Sequence, residues 1–185
     1  MKTLAWLVAL LLGGVLAASA QHRPRADVFA GYSYLRRDVG PKHISMSGFN
    51  AEVAVSANPW LALVGDFSIN VGGPQVSSSS KTHFNVESFL FGPQVFLRAQ
   101  SRVKPFARVL FGGTHIGVRD ISVNPVVSLS DTSFAWAAGG GVNVAVNDWF
   151  DFRALQADYI GTRNFGATQN NFRLAFGFNF HFGTR

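Results

Sequence analysis

Five charged residues stand inside apolar, alternating segments of this 185-residue chain: Glu52, Asp66, Arg108, Arg153 and Arg173. An ion in such a setting must be paired or solvated. Two acids and three bases can meet as an internal ion-pair network, or they can line a gated path for ions. Catalysis asks for more. Nucleophilic hydrolysis needs an activated serine, a base beside it and a third group to orient the base. The five histidines are His22, His43, His83, His115 and His181. His43 is near Ser45, but its only nearby acid is Asp38. His83 follows Ser77 to Ser80, which reads as a solvated loop tip. No two histidines have metal-ligand spacing. Val71-Gly72-Gly73 and Leu110-Phe111-Gly112-Gly113 lack the helix and lysine of a phosphate loop. No catalytic residue, cofactor site or metal site is expected, and no enzyme.

The elements that carry these charges read as strands. From Asn171 onward, Phe172, Leu174, Phe176, Phe178, Phe180 and Phe182 alternate with Asn171, Arg173, Ala175, Gly177, Asn179 and His181. Side chains alternate across a strand, so one face is apolar and the other polar or small. Phe49 to Ser56, Leu63 to Asn70 and Trp136 to Ala145 repeat the pattern. Asp27 to Arg36, His83 to Arg98, Pro105 to Gly117 and Phe150 to Arg163 complete a set of eight. On this parity the five charges face one side. Glu52 is the expected partner of Arg173, with Asp66 next. Two strands carry a frame conflict, at Glu87 to Phe89 and between Arg153 and Asp158. A β-bulge would resolve each; a second charge at a wet rim would also do so. Short connections (Ala57 to Trp60, Ala99 to Lys104, Asn147 to Trp149) alternate with longer ones (Arg37 to Met46, Val71 to Thr82, Val118 to Thr132, Asn164 to Asn170).

The ends and the composition say where such strands live. Lys2, the apolar run Leu4 to Leu16 and Ala18-Ser19-Ala20 form a secretory signal. Residues 1–20 are therefore expected to be removed, leaving residues 21–185 as one domain. Hydrophobic residues make up 48% and charged residues 14%, well under the roughly 25% charged share of soluble domains. In lipid only helices and closed barrels satisfy every backbone group, and no second apolar run is long enough for a helix. The expected fold is all-β: an eight-stranded antiparallel up-and-down transmembrane barrel. A soluble barrel alternates too, with its polarity reversed. It would need charges along most outer positions, and six bulky residues of one strand would crowd its lumen. Lipid outside and a polar lumen inside fit better. Tyr32, Tyr34, Trp60, Trp149 and Tyr159 fall near strand ends or turns, where amphipathic rings meet headgroups. The net charge is +6, without the dense basic run of a nucleic-acid binder, and nucleic acid is not an expected partner. Arg36, Arg37, Lys42, Lys81, Arg119 and Arg163 are expected near the outer rim, against Asp38, Asp120 and Asp131. They could bind anionic lipid headgroups, lipopolysaccharide among them; simple solvation explains them equally well.

The segments Phe29-Ala30-Gly31-Tyr32-Ser33-Tyr34-Leu35-Arg36, Phe91-Gly92-Pro93-Gln94, Gly139-Gly140-Gly141 and Ala157-Asp158-Tyr159 resemble the outer membrane protein β-barrel family. That family includes the OmpA-like transmembrane domain and many small porin-family proteins. The resemblance covers nearly all of the mature chain. It implies eight antiparallel strands, periplasmic termini and insertion into the cell outer membrane by the outer-membrane assembly machinery. The family's final aromatic is Phe182 here, followed by Gly183-Thr184-Arg185. The resemblance does not extend to a peptidoglycan-binding domain, so it does not imply cell-wall anchoring. The expected protein is a monomer in outer membrane lipid, with no cofactor. It has a structural or surface-interaction role and a lumen plugged by the ion-pair network; the alternative is a small pore for ions or small solutes.

Overall fold

The computed structural model describes residues 26–39, 42–72, 82–97, 102–120, 127–164 and 167–183. The predicted signal segment lies outside them. Eight strands follow one another: β1 (Ala26–Val39), β2 (Lys42–Asn58), β3 (Leu61–Gly72), β4 (Thr82–Phe96), β5 (Val103–Asp120), β6 (Val127–Ala145), β7 (Phe150–Asn164) and β8 (Ala167–Phe182). Each pairs antiparallel with its sequence neighbour, and β8 returns to pair with β1, closing the barrel.

The alternation read from β8 is the alternation of its surfaces. Phe172, Phe176, Phe178 and Phe182 are exposed, while Asn171, Arg173, Ala175 and Asn179 are buried in the lumen. Exposed Phe49, Leu63, Phe67, Phe89, Phe91, Phe111 and Trp136 continue the apolar outer surface around the barrel. Glycines face one another across the β1–β8 seam. There Gly31 faces Gly177, and a Cβ on Gly31 would sit 2.2 Å from the carbonyl oxygen of Phe176.

Two turns at the end that carries the termini share one device. Asn58 Oδ1 accepts from the backbone N–H groups of Trp60 and Leu61 at 3.0 and 2.8 Å. Asn147 Oδ1 accepts from those of Trp149 and Phe150 at 3.0 and 2.9 Å. This side-chain turn reverses the chain within a few residues and sets Trp60 and Trp149 at the barrel's end, both exposed.

At the other end the strands run further than expected. Val39 pairs with Lys42 and Asn164 with Ala167. The expected loops Arg37 to Met46 and Asn164 to Asn170 are therefore mostly hairpin ladder, and β5 and β6 stay paired as far as Asp120 and Val127. Outward positions there are polar, as at Arg36, Ser45 and Arg163, so the apolar outer alternation fades while the backbone pairing continues.

Of the two frame conflicts, one is a bulge and one is not. The register of β7 against β8 shifts between Arg153 and Gln156. Ala154 and Leu155 both point outward, and Arg153, Gln156 and Asp158 all point inward. The β3–β4 ladder runs without a shift past Glu87. The parity change in β4 arises because Val86 faces an apolar stretch of lumen. It lies there with Leu35, Ile44, Met46, Leu90, Ile116 and Ile160, all buried in one cluster toward the loop end. Glu87 stays on the outer face, where the Asn85 amide donates to it at 3.1 Å.

Candidate lumen ion-pair site

The inward parity of β2, β3, β5, β7 and β8 delivers Glu52, Asp66, Arg108, Arg153 and Arg173 to one region of the lumen, each at most 3% exposed. The bulge in β7 brings in Asp158, fully buried. Three guanidinium groups thus meet three carboxylates, and the formal charges cancel.

Arg108 is the hub. Its Nη1 donates to Glu52, its Nη2 to Asp66 Oδ2 at 3.1 Å, and its Nε and Nη2 to the two oxygens of Asp158 at 3.0 and 2.8 Å. Arg173 grips Asp66 with both Nη groups, at 2.8 and 2.9 Å, and reaches Asp158 Oδ2 from Nε at 3.1 Å and from Nη2 at 2.9 Å. Arg153 grips Glu52 with Nη1 and Nη2 at 2.9 and 3.0 Å. The planar fork of arginine suits these two-point contacts, which lysine could not make. Arg173 therefore pairs with Asp66 and Asp158, and Glu52 belongs to Arg108 and Arg153. The offset comes from strand tilt: residues level in sequence on two strands are not level along the barrel axis.

Neutral groups complete the set. Asn143 Oδ1 accepts from Arg153 Nε at 2.9 Å, Ser68 Oγ from Arg173 Nη1 at 3.1 Å, and Asp158 from the Gln156 amide at 2.9 Å. Asn50 donates to Asp66 at 3.2 Å. On the turn side the Arg153 guanidinium lies over the rings of Phe29 and Phe106, 4.1 and 4.8 Å from their centroids. These supports were not singled out from the sequence. In the sequence Asp158 stands out as the second half of a frame conflict and within Ala157-Asp158-Tyr159, not as a member of the network, and Gln156 and Asn50 look like any polar residue on the inward face.

The charges of the arrangement bind one another. Among the described residues no group of three His, Asp or Glu side chains is placed to hold a metal ion. At the outer surface Arg36 and Arg163 are exposed, while Arg37 turns inward, buried, and donates to Gln169. Tyr32 and Tyr34 bond across to Ser47 and Ser45, each at 2.8 Å. The side chains of Lys42, Lys81, Arg119, Asp38 and Asp120 lie outside the described residues.

The family model for the outer membrane protein beta-barrel domain matches residues 3–182. None of the curated proteins compared with the chain matches it in sequence. Solved structures do match in fold. Ail, the attachment invasion locus protein of Yersinia pestis, is 22% identical with a TM-score of 0.65, over 85% of this chain and 99% of that one. A second structure of Ail, in complex with the heparin analogue sucrose octasulfate, is 19% identical with a TM-score of 0.62, over 85% of this chain and 99% of that one. Neisserial surface protein A is 16% identical with a TM-score of 0.71, over 85% of this chain and 97% of that one. A closed eight-stranded barrel with an apolar exterior and a charged interior agrees with that assignment. The chain belongs to the outer membrane protein β-barrel domain family, and it is a protein of the outer membrane.

Proposed function

We propose that this barrel is a sealed scaffold that acts through its outer surface rather than by passing solutes. The observation that carries this reading is Arg108. From β5 it contacts acids on β2, β3 and β7 at once, and all four side chains are buried. Eight strands leave an interior just wide enough for side chains, and this cluster crosses it. Toward the loop end Leu35, Ile44, Met46, Val86, Ile116 and Ile160 add apolar bulk to the lumen, among the buried polar side chains of Ser88, Thr114, Thr162 and Asn171. A small cavity lined by Leu35, Arg37, Thr114, Ile160 and Asn171 opens near this apolar cluster.

The surface partner is anionic lipid, lipopolysaccharide included. Arg36 on β1 and Arg163 on β7 are exposed on the two strands that flank the outer half of β8, beside the Tyr34–Ser45 pair. Guanidinium groups there can give charge-assisted hydrogen bonds to phosphate. The likeness in fold to Ail, with its sulfated sugar, agrees with an anionic ligand. On this reading residues 1–20 serve export only, residues 21–185 form the barrel unit, the assembly machinery inserts it, and it works as a monomer.

Planar-bilayer recording on the refolded mature chain tests the seal. No conductance above the bare bilayer is expected; steady steps would overturn the reading in favour of a pore. Lipopolysaccharide retention by wild type and by an Arg36→Ala, Arg163→Ala variant tests the surface. Weaker retention by the variant is expected, and equal retention would remove the lipid partner while leaving the seal untouched.

A further inference from the structure

Four strands end at the turn side of the lumen with ionisable residues that take no part in the Arg108 network. They are Asp27 on β1, Lys104 on β5, Asp151 on β7 and His181 on β8. His181 Nδ1 is 2.7 Å from Asp27 Oδ1. Its Nε2 is 3.0 Å from Asp151 Oδ1, a close charge contact rather than an aligned hydrogen bond. Lys104 Nζ donates to both oxygens of Asp151, at 3.0 and 2.9 Å. The cluster sits on the closing seam. Asp27 and His181 are register partners between the first and last strands, and the His181 backbone N–H donates to Trp149, just ahead of β7, at 2.8 Å.

A neutral imidazole has one N–H and one bare nitrogen. A neutral ring keeps the hydrogen bond to Asp27 only in its Nδ1–H tautomer, and it then sets an uncharged Nε2 beside the Asp151 carboxylate. The imidazolium alone both donates to Asp27 and sets a positive charge beside Asp151. Among the described residues it stands with Lys104 against the carboxylates of Asp27 and Asp151.

We propose that His181 is a protonation latch on the barrel's seam: charged, it ties β8 to β1 and β7 at the turn-side mouth, and uncharged it releases one of those ties. Among the described residues, Asp27, Asp151 and, through Asp151, Lys104 are the ionisable groups that face it. Histidine is the side chain among them whose ordinary titration falls between about pH 5 and 8. The two carboxylates favour the charged ring, so the stabilisation is complete below the ordinary histidine value and is lost as pH rises through the higher value of the folded barrel. The sealed lumen does not require this latch, and its failure would leave that reading standing.

The test is the thermal unfolding of the refolded mature barrel, read as the loss of its compact gel mobility, at about pH 5.5 and about pH 8.5, either side of ordinary histidine titration. Wild type is expected to melt higher at the lower pH, by roughly 2–4 °C, the shift typical of a modest stability change in a chain of this size. His181→Lys keeps a charge and is expected to lose the pH dependence. His181→Gln is expected to be equally insensitive and to melt at the lower wild-type value. Should His181→Gln fail to refold, Asp27→Asn decides, because it removes one of the two carboxylates and with it most of the pH dependence. A wild-type pH dependence retained in His181→Lys or Asp27→Asn would overturn the proposal.

Discussion

Arg108 and Arg173 occupy similar places, yet their removal is not equivalent. Arg108 touches all three acids of the network, whereas Arg173 touches two. Taking one partner from a buried pair costs about 3–5 kcal/mol, because the remaining charge is stranded away from water. Arg108→Met is therefore expected to destabilise the barrel by at least that much in urea, and by more than Arg173→Met. The pairing predicts a further difference. Asp66→Asn is expected to recover part of the loss caused by Arg173→Met, since it removes a carboxylate that Arg173 held at two points. Glu52→Gln, which touches Arg108 and Arg153 instead, is expected to recover less. Double-mutant cycles measure both couplings, and equal coupling to the two acids would contradict the geometry.

At the scale of the strand, one residue decides which side chains enter the lumen. Ala154 is the extra residue of the β7 bulge. On β8, Arg153 pairs with Gly177 and Gln156 with Ala175, so three steps on β7 match two on its partner. On the other side, Asn143 of β6 pairs with Arg153, and Val142 with Leu155. Deleting Ala154 makes both ladders regular while Arg153, Gln156 and Asp158 keep their inward places. That variant is expected to refold to the compact barrel. Deleting Ala157, three residues on, has the opposite effect: Asp158 turns outward and leaves Arg108 and Arg173 short of a carboxylate. Gel mobility after refolding separates the two, and loss of the barrel in both would show that the bulge itself is required.

For the whole molecule, the membrane is part of the structure. The exposed phenylalanines of β8 would be a liability in water and are a solvent match in hydrocarbon. Phe176 stands midway along this face between Phe172 and Phe182 and is half exposed, beside the Tyr32 ring at 5.4 Å. Phe176→Arg is expected to lower stability in lipid vesicles by about 2–4 kcal/mol, the range for a cation facing the bilayer midplane. The same change at Trp60, at the barrel's end, is expected to be milder. Equal losses at the two sites would mean that depth in the bilayer does not govern this surface.

The alternation of β8, the scarcity of charge and the spacing of the turns are local properties, and they were enough to read eight strands, a lipid-facing exterior and an inward Arg173. A period of two assigns a face without knowledge of the partner strand. The same logic misread two places where the surroundings of a face change. Toward the loops the outward positions turn polar, so β1, β2, β7 and β8 ran on unseen. Around Val86 the lumen itself turns apolar, which imitated a bulge. The partner of each charge was never local. Strand tilt sets which residues are level across the lumen, so only the closed barrel joined Arg173 to Asp66 rather than Glu52. The same closure recruited Asp158 through a bulge and brought Asp27, Asp151 and His181 from distant parts of the chain to one mouth.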